Sequence, residues 1–304
     1  MNLLALLGAL VLSYYRPHQR SDWLRQLYAP YAQLLQRKCD DGKKVHGVIA
    51  WLLGALLPAL LIGVAYYLLL EVFALLGLLF GIAVLYVTLR FSRYGQHAEK
   101  IVRALREGNV DEARDLYARW ENTEDQDYTM AEIARLGIET TLTRSHYGLL
   151  APIFWFVLLG PGGALLYRLT LILRQEWQDQ GNTPFSHCVR RVFDWLDWLP
   201  ARVTAACFAV VGDFEDAVYC WRTQAEAWSD KSLGIVLASG AGALGVKLGE
   251  PLQVNGVLFY RPELGMGDEA DADYLQGAVA LVWRVLVLMV SLFLLLTFAH
   301  WLGN

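Results

Sequence analysis

Charge is the first thing this chain has little of. Of its 304 residues only 18% are Asp, Glu, Lys or Arg, while 56% are hydrophobic. A soluble domain runs nearer a quarter charged and under half apolar. With a mean hydropathy of +0.33, this argues against a cytosolic enzyme, a disordered tail or a secreted disulfide scaffold. The net charge of −4 is too small to imply nucleic acid as a partner. Cysteine is also scarce. Cys39, Cys188, Cys207 and Cys220 show no CxxC spacing, which leaves out a zinc ribbon and a thioredoxin-like motif and makes them reduced packing residues. There is no HExxH, no Walker A sequence and no GxGxxG behind a strand. The six histidines are dispersed, without ligand spacing. Aromatic residues, in contrast, are plentiful: 11 Trp, 15 Tyr and 12 Phe, a density that suits membrane-interface anchors.

The apolar residues are gathered in runs. Met1–Tyr15 is apolar, lacks the cationic start and cleavage site of a signal peptide, and is too short for an ordinary span of about 20 residues. It reads as a buried or interfacial helix, and residues 1–47 as cytoplasmic or interfacial, with seven Lys/Arg between 16 and 47. Val48 to Leu70 is a run of 23 uncharged residues broken only by Pro58, and Val72 to Leu89 is a second. Residues 48–89 therefore read as a transmembrane helical hairpin. Its turn carries no Lys or Arg, whereas Lys43, Lys44, Arg90 and Arg93 flank it. The excess of positive charge puts these flanks in the cytoplasm.

Residues 90–147 are polar and periodic and read as a soluble helical region. Two short amphipathic helices are expected over His97–Trp120, with Gly108 and Asn109 ending the first and Asp111 capping or charging the second. An acidic turn over Glu121–Asp127 precedes a helix over Met130–Thr143. Residues 148–169 form a broken apolar segment: Gly160-Pro161-Gly162-Gly163 interrupts it, leaving about ten regular residues on each side. Lipid-exposed backbone must be internally hydrogen-bonded, so such a break is tolerated against protein or a water-filled cavity. The segment is either a re-entrant helix lining a site or a kinked span. Residues 170–276 read as a helical core, and 277–304 as a C-terminal transmembrane helix holding Arg284, which snorkels or pairs inside the bundle. A single crossing at 149–167 would place the nine Lys/Arg of 168–280 outside. The conflict is resolved if that segment is re-entrant, or if Val203–Val211 or the Gly-rich Leu233–Val246 also crosses. The fold class is thus an all-α integral membrane protein, with about four transmembrane or re-entrant segments plus amphipathic helices.

Two clusters could carry chemistry. Asp194 and Asp197 are three apart, a helical spacing that puts both carboxylates on one face, beside Trp195 and Trp198 and near Arg202. They are candidates for a divalent ion or an acid–base pair; the alternative is an interfacial helix with its acids in water. Asp213, Glu215 and Asp216 follow Gly212 and suit either a cation-binding turn or a helix start. Asp194, Asp197 and Asp213 are the weak metal candidates.

Several stretches resemble the CobD/CbiB and AmpE-like family of bacterial inner-membrane proteins. They are residues 97–114, Ile138-Glu139, Ala151–Trp155, Gly160–Arg168, Asp197–Ala205 and Gly242–Gly249. The resemblance implies one of two activities. One branch is a cobalamin-pathway synthase joining aminopropanol, or its phosphate, to cobyric acid through an amide, with ATP and a divalent ion. The other is a membrane protein tied to β-lactamase induction and cell-wall sensing. Glu139, Arg168, Asp194, Arg202 and Gly234 match the synthase pattern; Thr143, Arg144, Tyr147, Leu171, Arg174 and Asp197 depart from it, as does the stretch Asp230–Gly234. Lost acids and a reversed charge at Arg174 would weaken a metal site. The expectation is therefore a non-synthase, AmpE-like regulator with an inherited ligand cavity, and the synthase, with Mg and ATP, is the alternative. Candidate ligand-binding residues are Glu139, Gly160, Gly162, Gly163, Arg168, Asp194, Asp197, Arg202, Gly234 and Arg284. The implied partners are the lipid bilayer and an anionic small molecule, with a homodimer as a further option.

Overall fold

A computed structural model describes residues 2–15, 23–39, 44–90, 94–124, 126–178, 183–254 and 256–303. Arg16, Arg20, Lys43 and Arg93, used in the charge argument, and Asp125 of the acidic turn lie outside these residues. The helices are α1 (Asn2–Tyr15), α2 (Trp23–Cys39), α3 (Lys44–Trp51), α4 (Leu57–Val72), α5 (Ala74–Thr88), α6 (Tyr94–Arg106), α7 (Val110–Glu121), α8 (Met130–Ser145), α9 (Ala151–Gln178), α10 (Pro184–Val211), α11 (Phe214–Gln224), α12 (Lys231–Leu244) and α13 (Ala272–Gly303). Wide π-helical turns, Leu52–Leu56 and His146–Leu150, join α3 to α4 and α8 to α9. A feature absent from the sequence reading is a short antiparallel hairpin, β1 (Leu252–Val254) with β2 (Val257–Phe259), which pairs Leu252 with Phe259. Three helical runs are long and apolar enough to cross a bilayer: Val45–Val72, Met130–Trp177 and Ala272–Ala299. This is an all-α membrane protein.

Two of the expected crossings hold shorter helices than the apolar runs suggest. Phe73 adopts an extended conformation (φ −156°, ψ 105°) and separates α4 from α5. That leaves α5 at 15 residues, about 22 Å, short of the ~30 Å hydrocarbon core. The stretch Leu233–Val246, offered as a further crossing, holds only the 14-residue α12; its glycines serve packing inside the protein.

The chain forms two compact units: Met1–Ser92 with Gly148–Pro200 and Thr297–Asn304, and Arg93–Tyr147 with Ala201–Leu296. In the first, α4 packs on α5 and α9, and α1 on α5. Small residues allow this. A methyl on Gly162 would sit 2.8 Å from the Ala59 carbonyl and 3.2 Å from the Gly63 Cα, and one on Gly81 only 3.0 Å from the Tyr66 ring. The outward sides of α4 and α5 are leucine-rich and exposed, including Leu60, Leu61, Leu75 and Leu76. At the other end of α9 an apolar core gathers Ala32, Leu35, Leu173, Trp177 and Phe185, and the Trp177 indole donates to the Ala32 carbonyl at 3.0 Å.

The second unit begins with α6 and α7, whose amphipathic pairing agrees with the sequence. Asn109, not Asp111, is the N-cap of α7: its side chain accepts from the Glu112 amide at 3.2 Å, and Asp111 adds charge to the first turn. Thr129 and Glu132 form a reciprocal capping box that starts α8. Buried α12 lies against α11 and α8. Here too glycine sets the approach, because a methyl on Gly242 would meet the Asp216 carbonyl at 2.4 Å.

Candidate functional site

In the first unit the glycine break is real but narrower than expected. Gly160 alone leaves helical geometry (φ 68°, ψ −159°), and α9 resumes through Pro161 and runs to Gln178. The segment is therefore much longer than ten residues past the break. Proline at 161 starts the second half with its fixed φ and no amide to satisfy. Gly162 meets α4 as described, and a methyl on Gly163 would lie 2.5 Å from the carbonyl of Trp155, eight residues earlier and across the bend. Of the three glycines, Gly160 makes the bend, and Gly162 and Gly163 allow close backbone contact.

Two turns past the bend, α9 presents Tyr167 and Arg168, both fully buried (0% and 1% exposed). The Tyr167 hydroxyl donates to Asp197 Oδ1 of α10 at 2.7 Å. Tyr167 also contacts the Phe193 ring, over which the Arg174 guanidinium sits at 4.7 Å. Asp197 is wholly buried, whereas Asp194, one turn earlier, is exposed. The two acids therefore do not share a face: a 60° offset is enough to put one in the packed seam and the other on the surface. Trp195 and Trp198 are exposed, at 80% and 53%, but buried Asp197 is not in water as the interfacial alternative has it.

In the second unit the polar centre is an ion network. Glu139 of α8 is 8% exposed. Its two carboxylate oxygens accept from Arg261 in bidentate fashion, at 2.7 and 3.1 Å, and Oε1 also accepts from the Gly249 amide at 2.9 Å. Arg261 donates further to the Gly249 and Glu250 carbonyls and lies over the Trp228 ring. Buried Arg135, one turn before Glu139, pairs with Glu250. The segment that receives these bonds is held by backbone bridges from Val246 to Asp268 and from Leu248 to Leu264. It needs glycine at 249, where φ is +77° and a methyl would fall 1.9 Å from the Pro262 carbonyl. Arg261 was not singled out in the sequence, since it lies 122 residues from Glu139 and in no motif.

The remaining candidates sit as follows. Arg202 is half-buried, and loss of water lowers its guanidinium pKa from the ordinary value. Arg284 is exposed on α13. A methyl on Gly234 would touch the Ala225 carbonyl at 2.4 Å, a packing contact. Asp213 is the N-cap of α11, accepting from the Asp216 amide at 3.0 Å. Among the described residues no three His, Cys, Asp or Glu side chains are grouped to hold a metal. All four cysteines are free thiols, with Cys207 and Cys220 buried.

The CobD/CbiB family model matches residues 5–282. The chain belongs to the CobD/CbiB family. A protein of Stutzerimonas stutzeri named "Cobalamin biosynthesis protein CobD" is 35% identical over 86% of this chain and 84% of its own. A namesake from Chromobacterium violaceum is 36% identical over 72% and 70%, and one from Leptospira interrogans 26% over 63% and 63%. No solved structure matches.

These relatives overturn the expected non-synthase, AmpE-like regulator: they carry the name of the cobalamin pathway at substantial identity over most of the chain. The departures behind that expectation have packing roles here. Arg144 bonds the Trp120 carbonyl and Glu121, Tyr147 reaches Asp230 at 3.4 Å, and Arg174 caps the Phe193 ring.

Proposed function

We propose that this CobD/CbiB-family protein is a multi-pass enzyme of the bacterial cytoplasmic membrane that acts in cobalamin biosynthesis. It forms an amide between cobyric acid and aminopropanol or aminopropanol phosphate at the expense of ATP. The observation that carries this reading is 35% identity spread over 84% of a protein named for that pathway. The chemistry asks for cationic donors where phosphate charge develops; Arg168 in the first unit and Arg202 in the second are separate candidates for such a donor. Both ATP and the phosphorylated amine are anionic. Magnesium bound through phosphates needs only one or two protein carboxylates, a demand that the exposed Asp194 could meet. The ion would supply charge neutralisation at the phosphates. Glu139 serves by holding the Gly249 segment through Arg261.

The test is ligation by the full chain in lipid vesicles, given cobyric acid, MgATP and either amine, with the amide product read by mass spectrometry. Product with one amine is expected. Folded protein that consumes neither amine, and that fails to rescue a strain lacking the synthase, would overturn the assignment.

A further inference from the structure

Helix α2 carries apolar side chains on two adjacent faces, about 100° apart around the helix. Inward, Tyr28, Ala32 and Leu35 enter the core beside α9, and Tyr28 donates to the Gly54 carbonyl. Outward, Leu27, Tyr31 and Leu34 recur at the i, i+4, i+7 spacing of a single helical stripe; they are 70%, 40% and 48% exposed. Tyr31 sits at the inner edge of the stripe, against the Tyr28 ring and the Leu53 carbonyl, while Leu27 and Leu34 stay on the surface.

Its depth is set by the helix it crosses. Tyr28 and Tyr31 reach the carbonyls of Gly54 and Leu53, and Leu35 lies against Gly54. Gly54 is six residues into the uncharged run that starts at Val48, about 9 Å along the helix axis. Helices that lie in the headgroup–acyl boundary are buried by about 5–10 Å. The stripe is also continuous with the outward side of the span, where Leu53 and Leu57 are exposed. Five peptide links separate Cys39 from Lys44, at most about 18 Å of chain, so the last turn of α2 lies close to where the span enters the bilayer. That turn ends in Arg37 and Lys38, both exposed. Neither has an ion-pair partner among the described residues.

We infer that α2 is an interfacial helix docked on anionic phospholipid, with Leu27, Tyr31 and Leu34 seated among the upper acyl chains and Arg37 and Lys38 against lipid phosphates. The inference needs only that the Val45–Val72 run spans a bilayer, and it stands whether or not the amide synthase assignment holds.

The experiment uses the full chain in vesicles, with an NBD fluorophore on Leu34→Cys in a Cys39→Ser, Cys188→Ser background; Cys207 and Cys220 are buried. Glu107→Cys, exposed at the end of α6, provides the aqueous control. At position 34, nitroxide-labelled lipids should quench strongly, and iodide should quench at least about threefold less than at 107. Nitroxide phosphatidylglycerol should quench more than nitroxide phosphatidylcholine, given about fivefold preference per cationic residue near an anionic leaflet. The difference should vanish in Arg37→Gln/Lys38→Gln. Iodide quenching equal to that at 107 would place the stripe in water and overturn the inference. Shielding from both quenchers would overturn it in favour of a protein partner or second copy, and equal quenching by the two lipids would remove the anionic selectivity. If Leu34→Cys does not give monodisperse protein, Leu27→Cys reads the same face.

Discussion

The two units both use glycine to bring helices together, but only the second adds a buried network of charge. In the first, helices meet through removed side chains: Gly81 against Tyr66, and Gly162 against Ala59 and Gly63. Where apolar surface faces lipid on one side and protein on the other, burial drives little, and close van der Waals approach does the joining. In the second, helices and a glycine-rich segment are fixed by charge: Glu139 with Arg261, and Arg135 with Glu250. Such pairs add specificity of arrangement more reliably than net stability. The first unit should therefore respond to added volume, and the second both to a missing partner and to added volume at Gly249, where the charged network meets the backbone.

The largest effect is expected at Gly249→Ala, which places a methyl against the Pro262 carbonyl at a positive φ. It should cost more than about 4 kcal/mol, the range of severe backbone strain, and show as loss of monodisperse protein in detergent. Next is Glu139→Ala, which leaves Arg261 facing a void; a loss of about 3 kcal/mol should appear in thermal unfolding, while Glu139→Gln, still able to accept from Gly249, should lose less. A smaller value for Glu139→Ala than for Gly162→Ala would break the contrast. For Gly162→Ala itself, about 1–3 kcal/mol is expected from overpacking against α4, read as a lowered Tm. Tyr167→Phe removes the donor to buried Asp197 and should cost about 1–2 kcal/mol. The smallest is pH-linked. Burial, with Asp216 nearby, pushes the Cys220 thiol from its ordinary 9.0 to about 11. The folded state thus favours the protonated form. Its contribution is full below about pH 9 and is lost as pH rises toward 11, so Cys220→Ala should flatten the alkaline end of a Tm–pH curve.

Much of the architecture was legible because apolar runs and caps are local signals. The helices α6, α7 and α8 lie where periodicity put them, within a few residues, although Asn109, read as the end of one helix, caps the start of the next. The break at Gly160 was visible, but not that one residue suffices for it, because Pro161 and two further glycines suggest a longer interruption. The hairpin at Leu252–Phe259 was missed: strands of three residues are shorter than any alternation can register. The site was less legible still. Asp194 and Asp197 share helical spacing, yet burial divides them, and this depends on what α9 brings across from Tyr167. Arg261 could not be paired with Glu139 from sequence, since nothing local links positions so far apart. The departures at Arg144, Tyr147 and Arg174 misled for a related reason: a residue type shows what could be lost at a position, and only its neighbours show what it does there.

The π-helical turn at Leu52–Leu56 has one more consequence. A turn of this kind holds one residue more than the α-helix it interrupts, so every side chain after it is rotated by about 100° relative to an unbroken helix. Leu57 onward therefore points where an uninterrupted count from Lys44 would not place it. Deleting a single residue within 52–56 would restore regular winding but turn the Ala59–Gly63 strip away from Gly162. The spare residue thus acts as a phase adjuster that lets the front half of the helix face α2 while its back half faces α9.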